Sequence, residues 1–166
     1  MQQMTESRSD GWITKIAEEF NDKYGVFAPG GYNVRWTGER FGRSGLVMIN
    51  SGDGNSMKSS LVSEKILFDM PYTECKITIS FYSNGHMGEG DGFCLDYASN
   101  LASGWNTIQC WRTGQDVVPK QWYDQEQIDF VFDSDDMDFI RIRFRSDSDE
   151  SLDRVFLDKV DVQMRL

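Results

Sequence analysis

Through most of its length the chain alternates between apolar and polar positions. KITISFYS puts Ile77, Ile79 and Phe81 on one side and Thr78, Ser80 and Tyr82 on the other. GFCLDYAS sets Phe93, Leu95 and Tyr97 against Cys94 and Asp96, and FIRIRFR sets Ile142 and Phe144 against Arg141, Arg143 and Arg145. A period of two marks a strand with one face in a core. YNVRW, GLVMIN, SLVSEKILF, WNTIQCW, QIDFVFD and RVFLDKVDV read the same way. About nine or ten strands, with turn signals roughly every 8–15 residues, predict an all-β fold, an antiparallel two-sheet β-sandwich of the jelly-roll kind. WITKIAEEF is ambiguous, because Trp12, Ile13, Ile16, Ala17 and Phe20 also fit helical spacing. NDKYGVFAPGG reads as a loop and SGDGNS as a turn.

Composition supports one domain. There are 166 residues, 39% apolar and 27% charged, with 13% aromatics and 15 glycines against 3 prolines. Residues 1–10 are polar and are expected to form a flexible N-terminal segment, with 11–166 as a single jelly-roll domain. The net charge of −10 repels phosphate backbones, so no nucleic-acid partner is expected. No apolar run reaches membrane-span length, so no membrane insertion is expected. MQQMTESRSDGW lacks the apolar core of a signal peptide, which fits an intracellular chain or a mature or trimmed one.

Three cysteines, Cys75, Cys94 and Cys110, are too few and scattered for a zinc site or disulfide framework. NLASG reads as the turn of a hairpin. If that turn centres near residue 102, Cys94 and Cys110 stand opposite each other, at the roughly 4.5–5.5 Å Cβ separation of cross-strand pairs. That is near what a disulfide needs. Two unpaired thiols, or a register slipped by one, are the alternatives.

Catalytic signatures are weak. The lone histidine, His86, sits in the glycine-rich turn SNGHMGEGDG and reads as solvated. No nucleophile elbow is present, and GEGDG lacks the lysine and following helix of a phosphate loop. Glu89, Asp91 and Asp96 are the carboxylates nearest to a glycosidase-like arrangement. The acidic stretches DSDDMD (133–138) and DSDESLD (147–153) lack an EF-hand's glycine and terminal glutamate, and read as solvated turns. Asp158 is different: it stands inside the last strand, where a buried carboxylate needs a partner.

Four blocks, FNDKYGVFAPGGYNVRW, MKSSLVS, FYSNGHMGEGDGFCLDYASNLASGW and IRIRFRSDSDESLDRVFLDKVDV, together resemble the MAM-like and carbohydrate-binding-module-like jelly-roll domains of secreted proteins of marine microbes and algae. The likeness spans residues 18–163. It implies a recognition or adhesion module, often attached to a larger enzyme and located in a secreted, lumenal or cell-surface setting. It also implies a structural calcium where the first and last strands meet, with Asn21, Asp22, Asn33 and Asp158 as its ligands. Amides stand at Asn21 and Asn33 where the family carries acids, which lowers the ligand charge. Cys94 stands where the family carries a large aromatic.

Two readings of the arginine row follow. In one, Arg143 pairs with an acid such as Asp96 on a neighbouring strand. In the other, Arg141, Arg143 and Arg145 floor a ligand groove with Asp96, and Tyr82, Trp111 and Trp122 provide stacking platforms for a sugar ring. The leading expectation is a non-catalytic module recognising a glycan or protein surface. A structural subunit of a larger assembly is the second, and a glycoside-active enzyme the third.

Overall fold

A computed structural model describes residues 11–31, 33–50, 59–84, 88, 90–132, 136–147 and 153–166. The expectations made for residues 1–10, the SGDGNS turn, His86, Glu89 and most of the two acidic stretches lie outside these. The described strands are β1 (Ile13–Glu18), β2 (Phe27–Gly30), β3 (Val34–Arg40), β4 (Arg43–Asn50), β5 (Ser60–Ser63), β6 (Ile66–Leu67), β7 (Glu74–Ser83), β8 (Gly92–Ser99), β9 (Asn106–Arg112), β10 (Trp122–Val131), β11 (Phe139–Asp147) and β12 (Arg154–Arg165).

They form two six-stranded sheets, and every strand pairing within them is antiparallel. The first runs β10-β7-β12-β4-β3, with β1 also on β12. The second runs β2-β5-β11-β8-β9, with β6 also on β11. The sandwich expected from the alternation is therefore present. SLVSEKILF is not one strand but two, β5 and β6, each pairing with β11.

The core lies between the sheets. Ile77, Ile79 and Phe81 from β7 and Val155, Leu157, Val160 and Val162 from β12 meet Phe93, Leu95, Ile142 and Phe144 from the second sheet. Trp111 stacks on Phe93 with ring centroids 4.7 Å apart. Cys94 pairs with Cys110 across β8 and β9, and the two are joined by a disulfide.

Three bulges explain where the alternation failed. In β1 the register shifts between Thr14 and Ile16, so Ile13 and Ile16 both face inward at a spacing of three that imitates a helix. In β12 the shift falls between Leu157 and Lys159, making Asp158 the extra residue. In β10 it falls between Tyr123 and Glu126, around Asp124 and Gln125. The last two bulges face Ser80 of β7 from either side.

The β3–β4 hairpin turns at Phe41 and Gly42, both with positive φ (51° and 80°). Gly45 also has positive φ, and a Cβ there would lie 2.6 Å from the carbonyl oxygen of Phe20. Only glycine lets the hairpin approach the 19–20 backbone this closely.

Candidate ligand-binding face

The two halves of the groove predicted from sequence lie on opposite faces of the sandwich. Tyr82 and Trp122 are on the outer face of the first sheet, and the arginine row with Asp96 is on that of the second. Trp111 is on neither: it is 2% exposed and part of the core. Its register partner Phe93 faces inward, and so must Trp111. It cannot serve as a stacking platform.

On the second sheet the charges satisfy one another. The Asp96 side chain is 1% exposed. Its Oδ2 accepts from Arg143 Nε (2.9 Å) and Nη2 (2.7 Å) and from Arg145 Nε (2.7 Å). Its Oδ1 accepts from the Thr107 hydroxyl at 3.0 Å. Arg143 also lies over the Trp105 ring, 4.4 Å from its centroid. Asp147 pairs with both Arg112 and Arg145. Arg141 is exposed. The row is mainly a cross-strand polar ladder, the first of the two readings.

On the first sheet, hydrophobic side chains point outward. Leu46, Met48 and Phe156 form a small buried cluster beneath Tyr82 and Trp122. Phe41, at the hairpin tip, stacks on Tyr82 (4.3 Å) and meets Phe156 edge-on (4.9 Å). Arg43 covers Trp122 at 3.8 Å from the ring centroid. Its guanidinium donates to both oxygens of Asp124 (2.7 and 2.9 Å) and to Asp158 Oδ2 (3.0 Å). The hydrogen bond with Asp124 raises the Arg43 pKa against desolvation, and the same bond holds the Asp124 carboxyl below its ordinary range.

Asp158 is therefore answered for. As the extra residue of a bulge its side chain leaves the core period and reaches Arg43. A guanidinium supplies the positive charge that the sequence reading assigned to calcium. The turn carrying Asn21 and Asp22 is closed by Glu18, whose two carboxylate oxygens accept from the amides of Phe20 and Val26, each at 2.9 Å. Asn33 is held through its backbone, donating to Ser59 Oγ and accepting from the Asn50 amide. Among the described residues no group of three or more His, Cys, Asp or Glu side chains converges. Asp158 is thus engaged by Arg43, the Asn21–Asp22 turn by Glu18, and Asn33 by Ser59 and Asn50.

Beside the hairpin, β3, β4 and β12 enclose a cleft of about 310 Å³. Trp36 stands in its wall, 36% exposed, with its indole N–H donated to the Phe20 carbonyl at 2.7 Å. Asn33, Thr37 and Asn50 add polar groups, Met48 an apolar patch, and Arg35, Arg40 and Arg154 positive charge. Two buried atoms here, Asn50 Oδ1 and Arg154 Nε, have no hydrogen-bond partner. Sequence reading missed the cleft. Its members are unremarkable one by one, and only the neighbouring of β3, β4 and β12 unites them.

No protein-family model matches the sequence, and no curated protein does. Solved structures do match in fold. One is the CBM22-1–GH10 portion of xylanase 10B from Clostridium thermocellum, complexed with xylohexaose (TM-score 0.65, 17% identity, 92% of this chain). This chain spans 28% of that one. The CBM22-1 xylan-binding domain of Paenibacillus barcinonensis Xyn10C is similar over 92% of this chain and 95% of its own (TM-score 0.63, 9% identity). The K3 cleaved adhesin domain of Lys-gingipain from Porphyromonas gingivalis is similar over 92% and 99% (TM-score 0.62, 13% identity). The fold is thus that of carbohydrate-binding modules and adhesin domains. The MAM likeness and the marine setting rest on the sequence blocks alone.

Proposed function

We propose that the chain is a non-catalytic glycan-binding module that receives its ligand in the cleft beside the β3–β4 hairpin. The observation that carries this reading is Trp36, a half-open indole ring fixed by its own N–H in the wall of a cleft with amide and guanidinium groups. A flat apolar ring accepts the C–H face of a pyranose, and side-chain amides and arginines fit its hydroxyls. Among the described residues the cleft wall contains no carboxylate, so these supply no acid pair of the kind glycoside hydrolysis requires. Two of the similar structures are described by their xylan or xylohexaose ligands, and this supports the choice of glycan over protein surface.

The Cys94–Cys110 bridge favours an oxidising compartment, so the module works outside the cytosol. The similarity to one part of a longer xylanase supports a place within, or beside, a larger enzyme.

Affinity electrophoresis through gels containing polysaccharides tests this. The wild-type protein is expected to be retarded by at least one glycan, and Trp36→Ala to migrate freely while keeping its melting transition. Free migration of the wild-type protein through every gel would refute the reading.

A further inference from the structure

Most of the described arginines are ion-paired, and three of the four that are not gather in one place. Arg43, Arg112, Arg143, Arg145 and Arg165 are each ion-paired with a carboxylate. Arg35, Arg40, Arg141 and Arg154 have no such pair among the described residues; Arg141 is exposed on the opposite face, and the other three line the Trp36 cleft. Arg40 lies 5.3 Å from the ring centroids of both Phe41 and Phe156. Arg154 keeps a buried Nε with no acceptor. This gathering occurs in a protein of net charge −10, with carboxylates in excess of cations. A chain so rich in acids leaves three guanidiniums uncompensated in one cleft, and a buried donor without an acceptor is costly unless a ligand supplies one.

We infer that the cleft selects an anionic glycan, one whose sugar carries a carboxylate or a sulfate ester. This inference rests on the glycan-binding reading above and names the ligand class of the same site. The ring of the sugar lies against Trp36, and its anionic substituent takes the guanidinium donors. Arginine suits this role because its planar fork matches the paired oxygens of a carboxylate or sulfate, and because it stays charged at every working pH. The acidic remainder of the surface works against loose anion binding elsewhere, so the selectivity belongs to the cleft.

Titration calorimetry with three probes tests the inference: oligogalacturonate for the carboxylate, a sulfated galactan oligosaccharide for the sulfate, and xylohexaose as the neutral control. At least one anionic probe is expected to bind about tenfold or more tightly than the neutral one. That preference is expected to fade as salt approaches about 1 M, where charges are screened within roughly 3 Å. Which anionic probe wins identifies the substituent. Arg154→Gln is expected to abolish the preference, and Arg35→Gln, on an exposed side chain, to reduce it with the fold intact. If xylohexaose binds as well as both anionic probes and the arginine variants change nothing, the inference is overturned while the glycan-binding reading stands. If none of the three probes binds, the inference is overturned, and the glycan-binding reading falls with it only where the wild-type protein also migrates freely through every gel.

Discussion

Arg43 and Asp158 meet at 3.0 Å across the outer face of the first sheet, although 115 positions separate them in the chain. A bulge in β12 frees Asp158, a bulge in β10 frees Asp124, and both carboxylates converge on the one guanidinium that the β3–β4 hairpin delivers. This knot fixes the hairpin over Tyr82, Trp122 and Phe156, and so fixes one wall of the cleft.

Breaking the knot from the arginine side is expected to hurt more than from either acid. Arg43→Ala leaves two carboxylates without their cation and uncovers Trp122, for an expected loss of about 1–3 kcal/mol. Asp158→Ala leaves Arg43 still bonded to Asp124, and should cost about 1 kcal/mol or less. Denaturant unfolding of both variants and their double mutant checks the ordering.

The same knot sets an acid limit. Asp124 is held below its ordinary range by the hydrogen bond from Arg43. A depressed carboxylate adds stability that is present above its unfolded pKa and lost as pH falls through the folded one. Stability measured from pH 7 downward is therefore expected to drop below about pH 4, and Arg43→Met to flatten that part of the profile.

Calcium removal is expected to leave Tm unchanged. A ligand bound only to the native state raises stability by RT ln(1 + [L]/Kd), and a chelator would reveal it. Because Arg43 and Glu18 already perform the tying, thermal melts with calcium and with excess chelator should superimpose. A calcium-dependent rise that vanishes in Asp158→Ala would restore the metal site.

On the second sheet, Asp96→Ala strands two guanidiniums beside a deeply buried position and is expected to cost about 3–5 kcal/mol. Arg141→Ala is expected to be nearly neutral. Neither should alter glycan affinity in protein that remains folded, because that face is not the cleft.

Reducing the Cys94–Cys110 bridge opens a loop with a sequence separation of 16. Chain-entropy arguments assign such a closure about 3 kcal/mol. Melting with and without a thiol reductant should show the loss, and Cys94→Ser/Cys110→Ser should reproduce it.

Much of the fold was legible because strands with one buried face advertise a period of two. β7, β8 and β11 did so, and the register of Cys94 with Cys110 followed from a single turn. β1 was not legible, because its bulge converts the inward spacing from Ile13 to Ile16 into a helical one. Asp158 drew attention for a sound reason, since a carboxylate in a core strand needs a partner, but local pattern cannot say that the partner is Arg43. The cleft was hidden for the same reason. Trp36, Asn50 and Arg154 become neighbours only once β12 is placed beside β4 and β4 beside β3, an order set by the packing of whole sheets. Trp111 was misjudged because an aromatic's type does not reveal its side, whereas its register with Phe93 does.

Which face receives the ligand is the central claim, and two indoles report on it directly. Trp36 stands in the cleft of the first sheet, and Trp105 lies under Arg143 on the opposite face. In a proton–nitrogen correlation spectrum recorded during glycan titration, the Trp36 indole resonance is expected to move in a saturable way while that of Trp105 stays fixed. Movement of Trp105 with Trp36 unmoved would contradict the account and return the site to the arginine row.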